Sequence, residues 1–211
     1  MKQTAKDAIL ARIRKALANA PDPPPVPHDF LERDERDRSV ILEELIDRLV
    51  DYKAMVTRTD NASLPQAIAY ACQQHGVTRL VVPADLAAEW IPGGVTVLRD
   101  EPPLTISDLD ESSGVLTGCA MAIAQTGTII LDGGATQGRR VLSLVPDRHL
   151  CVVRAEQVVG LVPEAITRLA ERATHPITLI SGPSATSDIE LSRVEGVHGP
   201  RTLHVFVVND R

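Results

Sequence analysis

Aromatic side chains are scarce in this chain. One Trp, two Tyr and two Phe in 211 residues leave few platforms on which bases could stack, which argues against single-stranded nucleic acid as a ligand. An excess of positive charge is also missing. Lys and Arg number 22 against 28 Asp and Glu, a formal charge of −6, and that balance repels a phosphate backbone unless the basic residues cluster on one face. No nucleic-acid partner is expected. Cys72, Cys119 and Cys151 are odd in number, widely spaced and free of Cys-x-x-Cys pairing, so a disulfide framework, a zinc knuckle and an iron–sulfur ligand set are all disfavoured. Reduced, buried thiols are the simpler reading. Histidines 28, 75, 149, 175, 198 and 204 contain no His-x-x-x-His or His-Glu-x-x-His spacing, so no metal site and no cofactor can be read from the motifs. A long apolar run is absent as well: the first twenty residues mix Lys2, Lys6, Asp7, Arg12, Arg14 and Lys15 with apolar positions. That pattern suits neither a secretory signal nor a membrane span, and a cytoplasmic protein is expected.

What is present is ordinary for a globular protein, with 44% hydrophobic and 24% charged residues, and the length suits one medium domain plus an extension. Ile9, Ile13, Ala16 and Leu17 fall at helical spacing after Thr4 as N-cap, predicting a helix over 4–19. Pro21, Pro23, Pro24, Pro25 and Pro27 then favour a stiff extended arm running into a charge-dense stretch. Residues 1–38 are therefore expected to form a peripheral helix and Pro-rich arm, and residues 39–211 the main domain. From residue 40 the periodicity alternates: helix 40–52, strand 54–58, helix 64–75 capped by Ser63, strand 78–82, a short helix near 85–90 and strand 95–98. A short polar segment at 105–112, with helix as one reading, follows. Then come strand 115–124, a tight turn at Thr126-Gly127, a fully apolar strand 128–131 and strand 149–153. Helix 156–173, interrupted by Pro163, and strands 177–180 and 203–208 complete the chain. This order predicts an α/β fold with a mostly parallel sheet flanked by helices, with a hairpin around Thr126-Gly127 inserted in the sheet.

Three loops stand out: Gln125–Thr128, Ser181–Glu190 and Gly196–Arg201. Each adjoins an apolar strand, and in open α/β sheets ligands bind in the crevice at carboxyl strand ends. The ligand-binding candidates are Thr126, Gly127, Thr128, Gly182, Ser184 and Arg201. Small residues let backbone N–H groups approach a ligand, hydroxyls add donors, and the Arg201 fork suits a carboxylate or phosphate, so the expected ligand is a small anion. Asp188 and His198 are the catalytic candidates. Asp188 reads equally as a helix-stabilising charge or a general base, and His198 between two glycines has unusual backbone freedom. Glu190, three residues after Ser187, reads as half of a capping box. Gly133-Gly134-Ala135-Thr136-Gln137-Gly138 fits neither the dinucleotide glycine pattern nor a P-loop, and Cys119 in an apolar strand reads as a core thiol.

Taken together, Ala122–Leu131, Ser181-Gly182-Pro183-Ser184 with Ser187-Asp188-Ile189-Glu190, and Gly196-Val197-His198-Gly199-Pro200-Arg201 resemble, in order and spacing, the LUD-domain (lactate-utilization) family from about Val40 onward. Each motif alone is weak and the combination is specific. The resemblance implies a fold like that of glucosamine-6-phosphate deaminase, ribose-5-phosphate isomerase and the CoA transferases. It also implies a role beside iron–sulfur partner subunits of a system that oxidises L-lactate to pyruvate, with the clusters carried by those partners. Gln125, where the family usually has Glu, and Ala185, where a basic residue is common, depart from the pattern. Two other readings stand beside this one: a stand-alone isomerase, deaminase or CoA transferase acting on a phosphorylated sugar or CoA ester, and a non-catalytic scaffold or regulatory subunit.

Overall fold

The computed structural model describes residues 4–18, 24–25, 29–183 and 199–209. The chain divides into two units, Met1–Phe30 and Leu31–Arg211. The first contains helix α1, Ala5–Leu17, whose Thr4 hydroxyl accepts from the Asp7 N–H while the Asp7 carboxylate reaches back to Thr4, a capping box that fixes its start.

The second unit alternates as the periodicity predicts. Helix α2 (Arg38–Asp51) leads into strand β1 (Met55–Thr59), and α3 (Leu64–Gln74) into β2 (Arg79–Val82) and β3 (Thr96–Arg99). Helix α4 (Ile106–Asp110) precedes β4 (Gly114–Thr117), β5 (Met121–Ile123) and β6 (Thr128–Leu131). The rest comprises β7 (Arg148–Arg154), β8 (Val158–Val159), α5 (Val162–Leu169), β9 (Thr178–Ile180) and β10 (Thr202–Val208). Six strands form one wholly parallel sheet in the order β1-β10-β7-β4-β2-β3. The expected α/β class with a mostly parallel sheet flanked by helices holds. Beyond β2 the chain moves outward to β3, whereas beyond β4 it moves the other way to β7 and β10, so the strand order reverses between β2 and β4.

Strand β10 shows how the sequence feeds both faces. Leu203, Val205 and Val207 join Leu42, Leu45 and Leu49 of α2 in one buried cluster, while Phe206 and Val208 join Leu64, Ile68 and Cys72 of α3 in another. Alternate residues of a strand point to opposite faces, and helices cover both. Leu45 and Leu49 are wholly buried, each contributing about 2 kcal/mol of transfer free energy. Leu45→Ala, which leaves a cavity as well, would cost about 2–5 kcal/mol.

Three sequence expectations change. The strand predicted over 115–124 is two strands in different sheets: β4 belongs to the main sheet, and β5 to a second, four-stranded sheet ordered β8-β5-β6-β9. The β5–β6 hairpin therefore lies in that second sheet, not in the main one. The break that Pro163 predicts near Val162 in the helix over 156–173 is present: the helix begins at Val162, because Pro163, lacking an N–H, fits the first helical turn and not the interior. Ser63 makes no side-chain cap; its own N–H instead donates to Asp60 Oδ1 at 2.7 Å. No helix among the described residues is long and apolar enough to cross a membrane.

Candidate functional site

A cleft of about 830 Å³ opens beyond the carboxyl ends of β2, β3 and β6. Its floor is the loop that follows β6, Asp132 to Gly138, a fully buried strand running straight into a Gly-Gly turn. The loop reaches across to the reversal point of the main sheet. Thr136 O accepts from Gly118 N–H, just past β4, at 2.9 Å, and Thr136 N–H donates to Asp85 Oδ2, just past β2, at 2.8 Å. Thr136 has φ of 62°, a left-handed conformation that a β-branched residue adopts only when its surroundings impose it. Crevices at a reversal of strand order are where open α/β sheets hold ligands.

Charge in the cleft is arranged in pairs. The Arg139 fork donates to both oxygens of Asp100 at 2.8 and 2.7 Å, and this pairing, aided by the Leu104 N–H, holds the Asp100 carboxyl below the usual carboxylate range. Asp132 is buried; its Oδ1 accepts from Gly134 N–H and Gln137 Nε2, both at 2.9 Å, and its Oδ2 lies 3.4 Å from Arg172 Nε. Arg140 donates to Ser143 Oγ at 3.1 Å and, among the described residues, has no carboxylate within ion-pair distance. Asp85, Asp132, Arg139, Arg140 and His175 all line the same cleft. Sequence reasoning passed over these residues because the loop matched neither glycine template. The signal available was the position of the loop, directly after an apolar strand.

Of the residues singled out in the sequence, Thr126, Gly127, Thr128 and Gly182 come together at the carboxyl end of α2. Thr128 Oγ1 lies 2.7 Å from both Thr126 Oγ1 and Ser181 Oγ, a chain of three hydroxyls joining the β5–β6 turn to the end of β9. Gly127 packs on Arg48 and Gly182 on Tyr52, each with positive φ and with no room for a Cβ. Arg201 lies immediately before β10, at the amino end of that strand, exposed and 3.4 Å from Asp147. Ser184, Asp188, Glu190 and His198 lie outside the described residues.

The cysteines behave as a core predicts. All three are buried, and burial pushes the Cys72 thiol up to about 11. Cys119 donates to Gln157 Oε1 at 3.6 Å and Cys151 to Gly118 O at 3.8 Å, and the interaction between the two neighbouring thiols raises Cys119 well above the ordinary thiol range and lowers Cys151. With both sulfurs shut off from water, the upward direction governs the pair, since desolvation disfavours any thiolate. Close by, His149 is 1% exposed; its Nε2 meets Thr117 Oγ1 at 2.8 Å, and its Nδ1 has no partner among the described residues.

Comparison with known proteins agrees with this architecture. The LUD domain matches residues 107–208. Lactate utilization protein C of Deinococcus radiodurans is 50% identical over 210 residues, covering 97% of this chain and 95% of that protein. The Bacillus subtilis protein of the same name is 25% identical over 72% of each. A crystal structure of a DUF162 family protein from Deinococcus radiodurans superimposes with a TM-score of 0.73 at 46% identity, over 82% of this chain and 99% of that one. On this evidence the chain belongs to the LUD-domain family.

Proposed function

We propose that this chain is a component of an L-lactate utilization system, assisting the oxidation of L-lactate to pyruvate together with iron–sulfur partner proteins, and that the cleft beyond β2, β3 and β6 is its crevice for an anionic small molecule. The observation that carries the reading is half-identity, across nearly the whole chain, to a protein named for lactate utilization. The division of labour is supported by the cysteines: three thiols, none in cluster spacing and all buried, make this chain a poor holder of iron–sulfur centres, so electrons would pass to clusters on the partners. Arg140, uncommitted to any carboxylate within the described residues, is the cation we assign to the anion.

The test is genetic and biochemical. Deletion of the gene is expected to abolish growth on L-lactate and spare growth on pyruvate, and the native protein is expected to co-purify with iron–sulfur subunits. Unchanged growth on L-lactate would refute the reading. The set Thr126, Gly127, Thr128, Gly182, Ser184, Asp188, His198 and Arg201 is a second candidate for the anion, favoured by the hydroxyl chain through Thr126, Thr128 and Ser181.

A further inference from the structure

The capacity of the cleft does not match lactate. A ligand with six heavy atoms fills on the order of a tenth of about 830 Å³, whereas clefts of several hundred Å³ ordinarily enclose molecules several times larger. Two charged side chains in the lining are also left with unused capacity. Arg139 and Arg172 are committed to Asp100 and Asp132, but Arg140 donates only to the Ser143 hydroxyl. Asp85 accepts the Thr136 N–H on one oxygen, and its other oxygen has no donor among the described residues. A fitting ligand therefore presents an anionic group at one end and hydroxyl donors at the other.

The placement of these groups narrows the class. Asp85 stands just beyond β2 at the reversal of strand order, where an open parallel sheet uses a carboxylate to hold ribose hydroxyls. Gly133 and Ala135 bring backbone to the same cleft, as phosphate-holding loops do, while the Gly134 N–H is taken by Asp132 Oδ1. Among the described residues no Phe, Tyr or Trp lines it and the His175 imidazole is the one ring available, so a base would be only weakly discriminated. We propose that the cleft takes a 5′-ribonucleotide, with the phosphate on Arg140 beside the glycine-rich loop and the ribose hydroxyls on Asp85. This rests on the reading of the cleft as the ligand site and goes beyond it in the class of ligand.

The test is calorimetric titration of the purified full chain with AMP, ADP, adenosine, inorganic phosphate and L-lactate. AMP and ADP are expected to bind, with adenosine and phosphate at least about tenfold weaker. Arg140→Gln should weaken AMP about tenfold or more while leaving the far-UV spectrum and unliganded melting temperature unchanged. Asp85→Asn and removal of both ribose hydroxyls from AMP should each cost about tenfold, and together no more than either alone, because they remove the same contact. Absence of saturable AMP and ADP binding at millimolar concentration overturns the proposal, as does binding that survives both variants. If L-lactate binds in their place and Arg140→Gln abolishes it, the anion crevice stands and the nucleotide does not; if none of these ligands binds, both fall.

Discussion

Asp132 and Gln137 clasp one another across the glycine-rich loop: the Asp132 N–H donates to Gln137 Oε1 at 2.7 Å, and Gln137 Nε2 donates to Asp132 Oδ1 at 2.9 Å. Both residues are buried, so truncating Gln137 leaves the Asp132 N–H without a partner and takes one of two donors from Asp132 Oδ1. Gln137→Ala is expected to lower unfolding stability by about 2–3 kcal/mol, read from the urea midpoint. Gln137→Glu, which sets a second carboxylate against Asp132, should cost more at neutral pH than in acid. Equal stability of the wild type and Gln137→Ala would show that the clasp does not hold the loop.

The His204 imidazole is buried against the main sheet. It lies 2.8 Å from Thr57 Oγ1 and 3.1 Å from His75 Nε2, and stacks on Phe206 at 4.7 Å. Burial first, and the neighbouring His75 second, lower its pKa from 6.5 to about 4. The fold therefore favours the neutral ring, and the unfolded chain takes up a proton earlier as the medium acidifies. This contribution to stability is complete above about pH 6.5 and lost as pH falls towards about 4, about 3 kcal/mol across the window. Denaturant midpoints followed through that range should fall, and His204→Gln should flatten the profile. A slope unaltered by the substitution would assign the acid sensitivity to other groups.

Gly182 sits where two segments touch. With φ of 79°, a Cβ there would lie 2.5 Å from Tyr52 O and 2.8 Å from Tyr52 Cβ. Gly182→Ala is expected to destabilise by about 2–3 kcal/mol from left-handed strain and backbone overlap. Gly93→Ala, where a Cβ meets nothing within 4 Å and φ is not left-handed, should change stability by about 0.5 kcal/mol or less. Thermal melts of the two variants decide it; similar midpoints would mean that the β9 end does not bear on α2.

Arg201 and Asp147, 68% and 49% exposed, form a surface pair worth about 1 kcal/mol or less. Arg201→Lys should thus leave the melting temperature nearly unchanged. If the Thr126–Arg201 set binds the anion, the same change should weaken that anion about tenfold through loss of the fork. Unaltered affinity in a titration would remove Arg201 from the site.

Much of the architecture was legible because periodicity reports burial. The α2, α3 and β10 patterns each expose one apolar face or alternate between two, and their positions emerged within a few residues. The division of residues 115–124 between two sheets was not legible, since Val115 to Ala124 is apolar almost throughout and nothing local marks the change of partner at Gly118. Composition singled out the hydroxyls of Thr126 and Thr128 and the turn at Gly182, which meet at the end of α2 and do not line the cleft. Asp85, Asp132 and Arg140 were missed because their significance lies in which strands end beside one another, a property of sheet order that no single segment encodes. Arg201 was read as a strand-end residue without regard to which end, and it precedes its strand.

The place of β10 in the main sheet carries a kinetic consequence. Strand β1 pairs with β10 and with no other described strand, and the contact between Thr57 and His204 spans 147 residues. Until Thr202 to Val208 emerges from the ribosome, β1 has nothing to bond to and β7 keeps a bare edge. A nascent chain that has already assembled α3, β2 and β4 therefore still offers two unpaired hydrogen-bonding edges to its neighbours. Closure of the sheet is a late event joining distant segments, the kind of topology that folds slowly and leaves pairing edges open meanwhile.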